Sequence, residues 1–283
     1  MALAIGRMRN ACILVAAIAL AGCAQHAQPP ASAQQKVAEC GQSGLVAQPT
    51  PSGIAPVPMM EQPALDLLKK MSNTLADSKA FTVRSRSTAE VPAKTGQYVT
   101  LFGTSDVILE KPNKLYVHVT GEVPNFDFYY DGKQVTAYAP KNNVYSVIGA
   151  PPTIDATLDF VEAKTGIHFP SAYVMSTDPY DTLTKGVTSA FVVGSDTVDG
   201  VPCKHLAFRV PGANWEIWIE SNENALPRRL AVTYTKVRNF PRALVEYSRW
   251  HLLPKVPAGR FVFKKPHDAK QIEFRARDLR KSQ

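Results

Sequence analysis

From Asp106 to Ile148 the chain alternates apolar and polar positions in short runs: Leu115-Tyr-Val-His-Val119, Phe126-Asp-Phe-Tyr-Tyr130 and Gln134-Val-Thr-Ala-Tyr138. A period of two sends successive side chains to opposite faces. Runs rich in β-branched and aromatic residues, parted by Lys-Pro-Asn and Asp-Gly, predict an antiparallel meander. Asp131-Gly132 is its firmest turn, because Gly132 tolerates the positive φ of a tight hairpin between Phe128–Tyr130 and Gln134–Tyr138. Before the meander, Leu65, Leu68, Met71 or Ser72, and Leu75 recur at three or four residues, which predicts a helix over 63–79 with one apolar stripe. Pro63 and Asp66 suit its first turn. Period two then takes over in strands from Phe81 to Pro92 and from Tyr98 to Leu109, around a Lys94-Thr95-Gly96 turn.

After the meander the period changes again. Ile154, Leu158 and Val161 share one side of a helix expected over 153–165, with Thr153 as N-cap and Gly166 as C-cap candidates. Ile167 to Lys185 is expected to be helical only in fragments, so a helical insertion separates two sets of strands. Strands resume at Val187–Val198, turn at Asp199-Gly200 into Cys203–Val210, and continue through Trp215–Glu220, Pro227–Val237 and Leu244–Leu252. Phe261-Val-Phe closes the domain. The expected fold is mainly β (α+β): one domain over about 61–275, a strongly curved antiparallel sheet with a few helices.

The ends of the chain read differently. Arg7 and Arg9 precede an apolar run from Ala11 to Ala19, which is far short of the ~20 residues that span a bilayer, so residues 1–22 are expected to be an export signal. Leu20-Ala21-Gly22-Cys23 resembles the lipobox of bacterial lipoproteins, which implies acylation of Cys23 and anchorage to a membrane. Ala24 after it resembles an outer-membrane rather than an inner-membrane address. Residues 23–60 are rich in Ala, Gln, Pro and Ser with few large apolar side chains, the composition of a flexible tether. The net charge of +8 falls to +6 without the signal. From Lys264 onward there are seven Lys or Arg against three Asp or Glu; residues 276–283 form a basic tail, read as a solvated terminus.

No catalytic constellation stands out. The chain has no Gly-x-x-x-x-Gly-Lys-Ser/Thr, no Gly-x-Ser-x-Gly, no His-Glu-x-x-His and no Cys-x-x-Cys, so neither a catalytic residue nor a cofactor or metal is assigned. Its six histidines lack ligand spacing, and His118 and His205 read as hydrogen-bonded strand residues. Asp196 and Asp199 read as turn residues serving the backbone. The aromatic strands Phe126–Tyr130 and Trp215–Trp218 are poor in Lys and Arg, which argues against nucleic-acid binding. Cys40 and Cys203 remain as a candidate disulfide in an oxidising compartment, or as two separate thiols.

The order of helix, meander, helical insertion and second strand set resembles the predicted periplasmic proteins of domain-of-unknown-function family 2092, within the superfamily of lipoprotein carriers and outer-membrane lipoprotein receptors (LolA/LolB-like). The residues behind this are Leu65 to Leu75, Lys111-Pro112-Asn113-Lys114, Tyr130-Asp131-Gly132-Lys133, Tyr145, Asp199 to Cys203, Trp215 to Glu220 with Pro227-Arg228, and the run from Phe261 to Phe274. The resemblance implies a half-open β-barrel whose concave apolar face, covered by helices, holds a lipid or the acyl chain of a lipoprotein. It names no protein partner. Alternation independently selects Leu115, Val117 and Val119, Phe126, Phe128 and Tyr130, and Trp215, Ile217 and Ile219 as the lining, with the helix around Leu158 and Val161 as lid. A structural envelope protein with the same face filled is the alternative.

Overall fold

The computed structural model describes residues 59–122, 125–165 and 170–274. Within them a 16-residue helix, α1 (Gln62–Asp77), precedes the sheet. Six strands follow: β1 (Ala80–Pro92), β2 (Tyr98–Glu110), β3 (Lys114–Gly121), β4 (Phe126–Tyr130), β5 (Gln134–Ala139) and β6 (Val144–Gly149). Then come α2 (Ile154–Thr165), a 3-10 turn (Pro170–Met175) and α3 (Pro179–Thr184). Five more strands, β7 (Ser189–Val198), β8 (Val201–Val210), β9 (Ala213–Glu220), β10 (Pro227–Tyr234) and β11 (Arg242–Leu253), are followed by a 3-10 turn (Ala258–Phe261) and a short β12 (Lys270–Gln271).

The mainly β expectation is borne out, and so is the single sheet. The two strand sets form a single 12-stranded open sheet in the order β12-β6-β5-β4-β3-β2-β1-β11-β10-β9-β8-β7. The first strand joins them, because β1 pairs with β2 on one side and with β11 on the other. All neighbours are antiparallel except β12, which runs parallel to β6. Register shifts at Thr82/Arg84, Val192/Gly194 and Pro227/Arg229 mark bulges, which increase local twist and help such a long sheet curl.

Local chemistry explains the turns. The Asp131 carboxylate accepts from the N–H groups of Lys133 and Gln134 at 2.9 and 3.0 Å, and Gly132 has φ +92°. Asp199 and Gly200 both have positive φ, 47° and 78°, the pairing that a two-residue hairpin of the strand twist requires. Thr153 caps α2 by accepting from the Ala156 N–H at 3.3 Å. Gly166, its proposed C-cap, lies outside the described residues, as do Cys23, Cys40 and the basic tail. At the other end of α1, the Lys111 ammonium donates to the free carbonyls of Leu75 and Ala76 at 2.5 and 2.9 Å. Burial lowers the Lys111 pKa, opposed by the charges of Asp155 and Asp77.

Helices and core share one face of the sheet, the inner face. Leu68, Met71 and Leu75 of α1 join Phe81, Val107, Leu109, Ile217, Leu230 and their neighbours in one large cluster. On α1 the fully buried first-turn residue is Ala64 rather than Leu65, which packs at the margin. The outer face is not purely polar either. Val198, Cys203, Trp218 and Ala231 form one small cluster there, and Ala80, Val256 and Phe261 form another under the closing segment.

Candidate functional site: the inner face of the sheet

Strand register sorts the inner face into rows. Leu109, Leu115, Tyr130, Val135 and Ile148 lie side by side across β2 to β6. The next row is Val107, Val117, Phe128 and Ala137, and the one after it Ser105, Val119 and Phe126. On the other half, Trp215 faces Val232 and Ile217 faces Leu230. Eight of the nine residues proposed as a ligand lining therefore belong to one cluster or pack against it: Leu115, Val117, Phe126, Phe128, Tyr130, Trp215, Ile217 and Ile219. Val119 is buried on the same face but stands apart from that cluster.

They are not equivalent. Ile217 and Ile219 are 0% exposed under α1, and Leu115, Phe128, Tyr130 and Trp215 are also closed over. Val117 and Phe126 are only half-buried, and so are Ile148 on β6 and Leu158 and Phe160 on α2. These five are apolar, contiguous with the core and incompletely covered. Phe160 is the member that sequence reading passed over, although it sits in the expected lid helix two residues beyond Leu158.

Helix α2 is tied down at its start. Tyr130 Oη and Thr157 Oγ1 both donate to the Pro151 carbonyl, at 2.6 and 3.0 Å, and the Ile154 N–H donates to the Pro112 carbonyl at 3.0 Å. Asp155 accepts from the Thr177 N–H, joining α2 to the turn before α3. Further along, burial raises the Asp159 pKa, helped by Glu162 and Asp155. Burial also pushes the Tyr234 phenol up to about 12, with the Glu162 charge adding to it, and Tyr173 is raised in the same way. These phenols remain protonated hydrogen-bond donors in a mostly apolar setting.

The outer face collects the ionic chemistry. Glu216 accepts from Arg242 at 3.1 Å and lies 3.1 Å from His205 Nε2, whose ring stacks on Trp218 at 3.9 Å. Glu220 is buried but paired with Arg228 at 2.5 Å and Asn222 at 2.7 Å. His118 Nδ1 is 2.6 Å from Asp127 Oδ1, which also accepts from Tyr116 Oη at 3.1 Å. Both strand histidines thus occupy hydrogen-bonded structural positions. Asp196 accepts from its neighbour's N–H, that of Thr197, at 2.7 Å. Cys203 is a buried free thiol, and its proposed partner Cys40 lies outside the described residues.

A groove of about 380 Å³ also opens on the outer face, between Arg86, Thr88, Phe102, Thr104, Leu244 and Glu246. None of the proposed lining residues borders it, and Arg86 is engaged by Glu246 and Asp199. Among the described residues no group of three His, Cys, Asp or Glu is placed to hold a metal ion.

Several solved structures match the chain at low identity. The lipoprotein LppX of Mycobacterium tuberculosis is 15% identical, with 70% of this chain and 100% of that chain covered and a TM-score of 0.46. LprF of Mycobacterium bovis is 12% identical over 70% of this chain and 97% of its own, with a TM-score of 0.40. A LolA superfamily protein of Nitrosomonas europaea is 10% identical over 71% of this chain and 97% of its own, with a TM-score of 0.32. No curated protein matches the sequence. Residues 64–275, nearly the whole of the strand-and-helix domain, match the family described as predicted periplasmic protein, DUF2092, and the chain belongs to that family.

Proposed function

We propose that this protein is a non-catalytic lipid-binding or lipoprotein-handling module. Acylated Cys23 holds it at the outer membrane, and its inner face takes an acyl chain on the periplasmic side. The observation that carries this reading is that apolar side chains packed against the core stay only half-buried on the meander and on α2: Val117, Phe126, Ile148, Leu158 and Phe160. Each methylene transferred there from water contributes about 0.8 kcal/mol, so even a partly enclosed chain offsets its ordering cost. Native mass spectrometry of the full-length protein extracted from the cell envelope is the test. A co-purifying lipid is expected, and lipid-free protein in every preparation would count against the reading.

A second reading, an envelope protein with a filled core, draws support from the complete burial of Ile217 and Ile219 under α1. It predicts no lipid adduct and no binding of a fatty-acid probe. The anchor is tested separately: Cys23→Ala should accumulate as unprocessed precursor, and mature protein still held in the membrane would refute the lipidation.

A further inference from the structure

One end of the sheet gathers the turns 93–97, 211–212 and 235–241. Register places them together: Pro92 of β1 lies opposite Tyr98 of β2, Thr233 of β10 opposite Arg242 of β11, and Tyr234 opposite Ala213 of β9. Ser189, which opens β7, pairs with Arg209 at the same end, and Met60 bridges to Ala190 beside it. The chain coming from Cys23 therefore enters the described residues at this rim.

The rim is apolar where a sheet end is usually polar. Met59, Met60, Val99, Phe102 and Phe240 stand here, five of the nine large apolar side chains exposed among the described residues. Phe240 is 59% exposed, and both it and Asn239 hold positive φ, 48° and 65°, a conformation that a bulky side chain rarely adopts and that clusters at functional surfaces. The Tyr98 hydroxyl donates to the Arg238 carbonyl at 2.9 Å, which ties the β1–β2 hairpin to the 235–241 loop.

These two tied segments carry charge of one sign. Residues 93–99 and 235–240 contain Lys94, Lys236 and Arg238 and no Asp or Glu. All three cations are exposed, and none is in an ion pair among the described residues. The flanking acids Glu90 and Glu122 accept from backbone N–H groups, those of Arg242 at 2.7 Å and Phe102 at 2.8 Å. The turns at the opposite end mix both signs, Asp131, Asp199 and Glu223 with Lys111 and Lys133.

We propose that this rim docks on a bilayer surface containing anionic phospholipid, with Lys94, Lys236 and Arg238 at the phosphates and Phe240 and Val99 entering the edge of the hydrocarbon. Cations alone would suit any polyanion. Apolar side chains set among them select a surface with hydrocarbon beneath its charge. The proposal takes from the reading above only the anchor at Cys23, whose chain joins the domain on this same rim, and is independent of an acyl chain on the inner face.

Full-length protein carrying Phe240→Trp is bound to vesicles of acyl-brominated phosphatidylcholine, with and without phosphatidylglycerol, and the wild-type emission is subtracted to isolate the added indole. That indole should be quenched when phosphatidylglycerol is present and far less without it. An indole at Val262, exposed beside Phe261 at the opposite end, should stay unquenched. Lys236→Gln with Arg238→Gln should abolish the quenching, since two cations at an anionic leaflet are worth about thirtyfold in docked population. Hydrogen exchange needs no variant: wild-type amides of 93–99 and 235–240 should slow on phosphatidylglycerol vesicles. Equal quenching at Phe240 and Val262, quenching that survives both substitutions, or unquenched indole with unchanged exchange, as a protein partner at this rim would give, would overturn the docking. Protein washed from every vesicle by high salt would instead refute the anchor at Cys23, while the docking is still read at low salt.

Discussion

The two halves of the inner face are built from the same alternating strands and end in different states. Over β7 and β9, α1 lays down Leu68, Met71 and Leu75 and closes the surface so completely that Ile217 and Ile219 have no contact with solvent. On the other half, α2 buries Ile154, Thr157 and Val161 but leaves Leu158 and Phe160 half-buried, and Val117 on β3 and Phe126 on β4 are half-buried as well. Alternation determines that a strand has an apolar face. The cover above it determines how completely that face is closed to solvent.

An aspartate placed in each half should expose the difference most sharply. Ile217→Asp puts an unpaired carboxylate into the sealed half, costs several kcal/mol and should prevent folding, seen as loss of the cooperative urea transition. Next in size is Trp218→Ala on the outer face, which removes a buried ring stacked on His205 and lying under Arg229. It should lower stability by about 3–5 kcal/mol and leave the affinity for a fluorescent fatty-acid probe unaltered. Leu68→Ala hollows the cover of the sealed half and should cost about 2–5 kcal/mol, again with little change in affinity. The smallest effect on stability belongs to Val117→Asp, about 1 kcal/mol, since its neighbourhood is open to water. That variant should fold, and its probe binding should drop by tenfold or more. If Val117→Asp unfolded the chain like Ile217→Asp, the two halves would not differ as described.

Much of this architecture could be read from residue order because it rests on local chemistry. The Asp131-Gly132 and Asp199-Gly200 turns, the Thr153 cap and the helix stripe at Leu68, Met71 and Leu75 each follow from a few neighbouring residues, and each is present. What escaped was long-range. Nothing near Phe81 announces that β1 will pair with β11, residues such as Ser85 and Tyr247 being far apart in the chain, so the place where the two strand sets join was not legible. The closing segment was equally opaque. Phe263 settles beside Tyr129, Tyr138 and Tyr145 on the outer face, at 5.6, 5.4 and 5.1 Å between ring centroids, and gives that face an aromatic cover that alternation marks as solvent-facing. The candidate site was half legible for the same reason. Its nine residues were found by their period, but Ile217 and Val117 look alike in sequence and differ only in what lies above them.

The lipid-binding proposal puts an acyl chain on the inner face beside the half-buried Val117, Phe126, Leu158 and Phe160. Photo-crosslinking full-length protein with a diazirine-bearing palmitate, followed by peptide mapping, tests it most directly. Adducts are expected in the peptides spanning 115–130 and 154–165. Adducts confined to the outer face around Phe102, or none above the level seen with Val117→Asp, would contradict it.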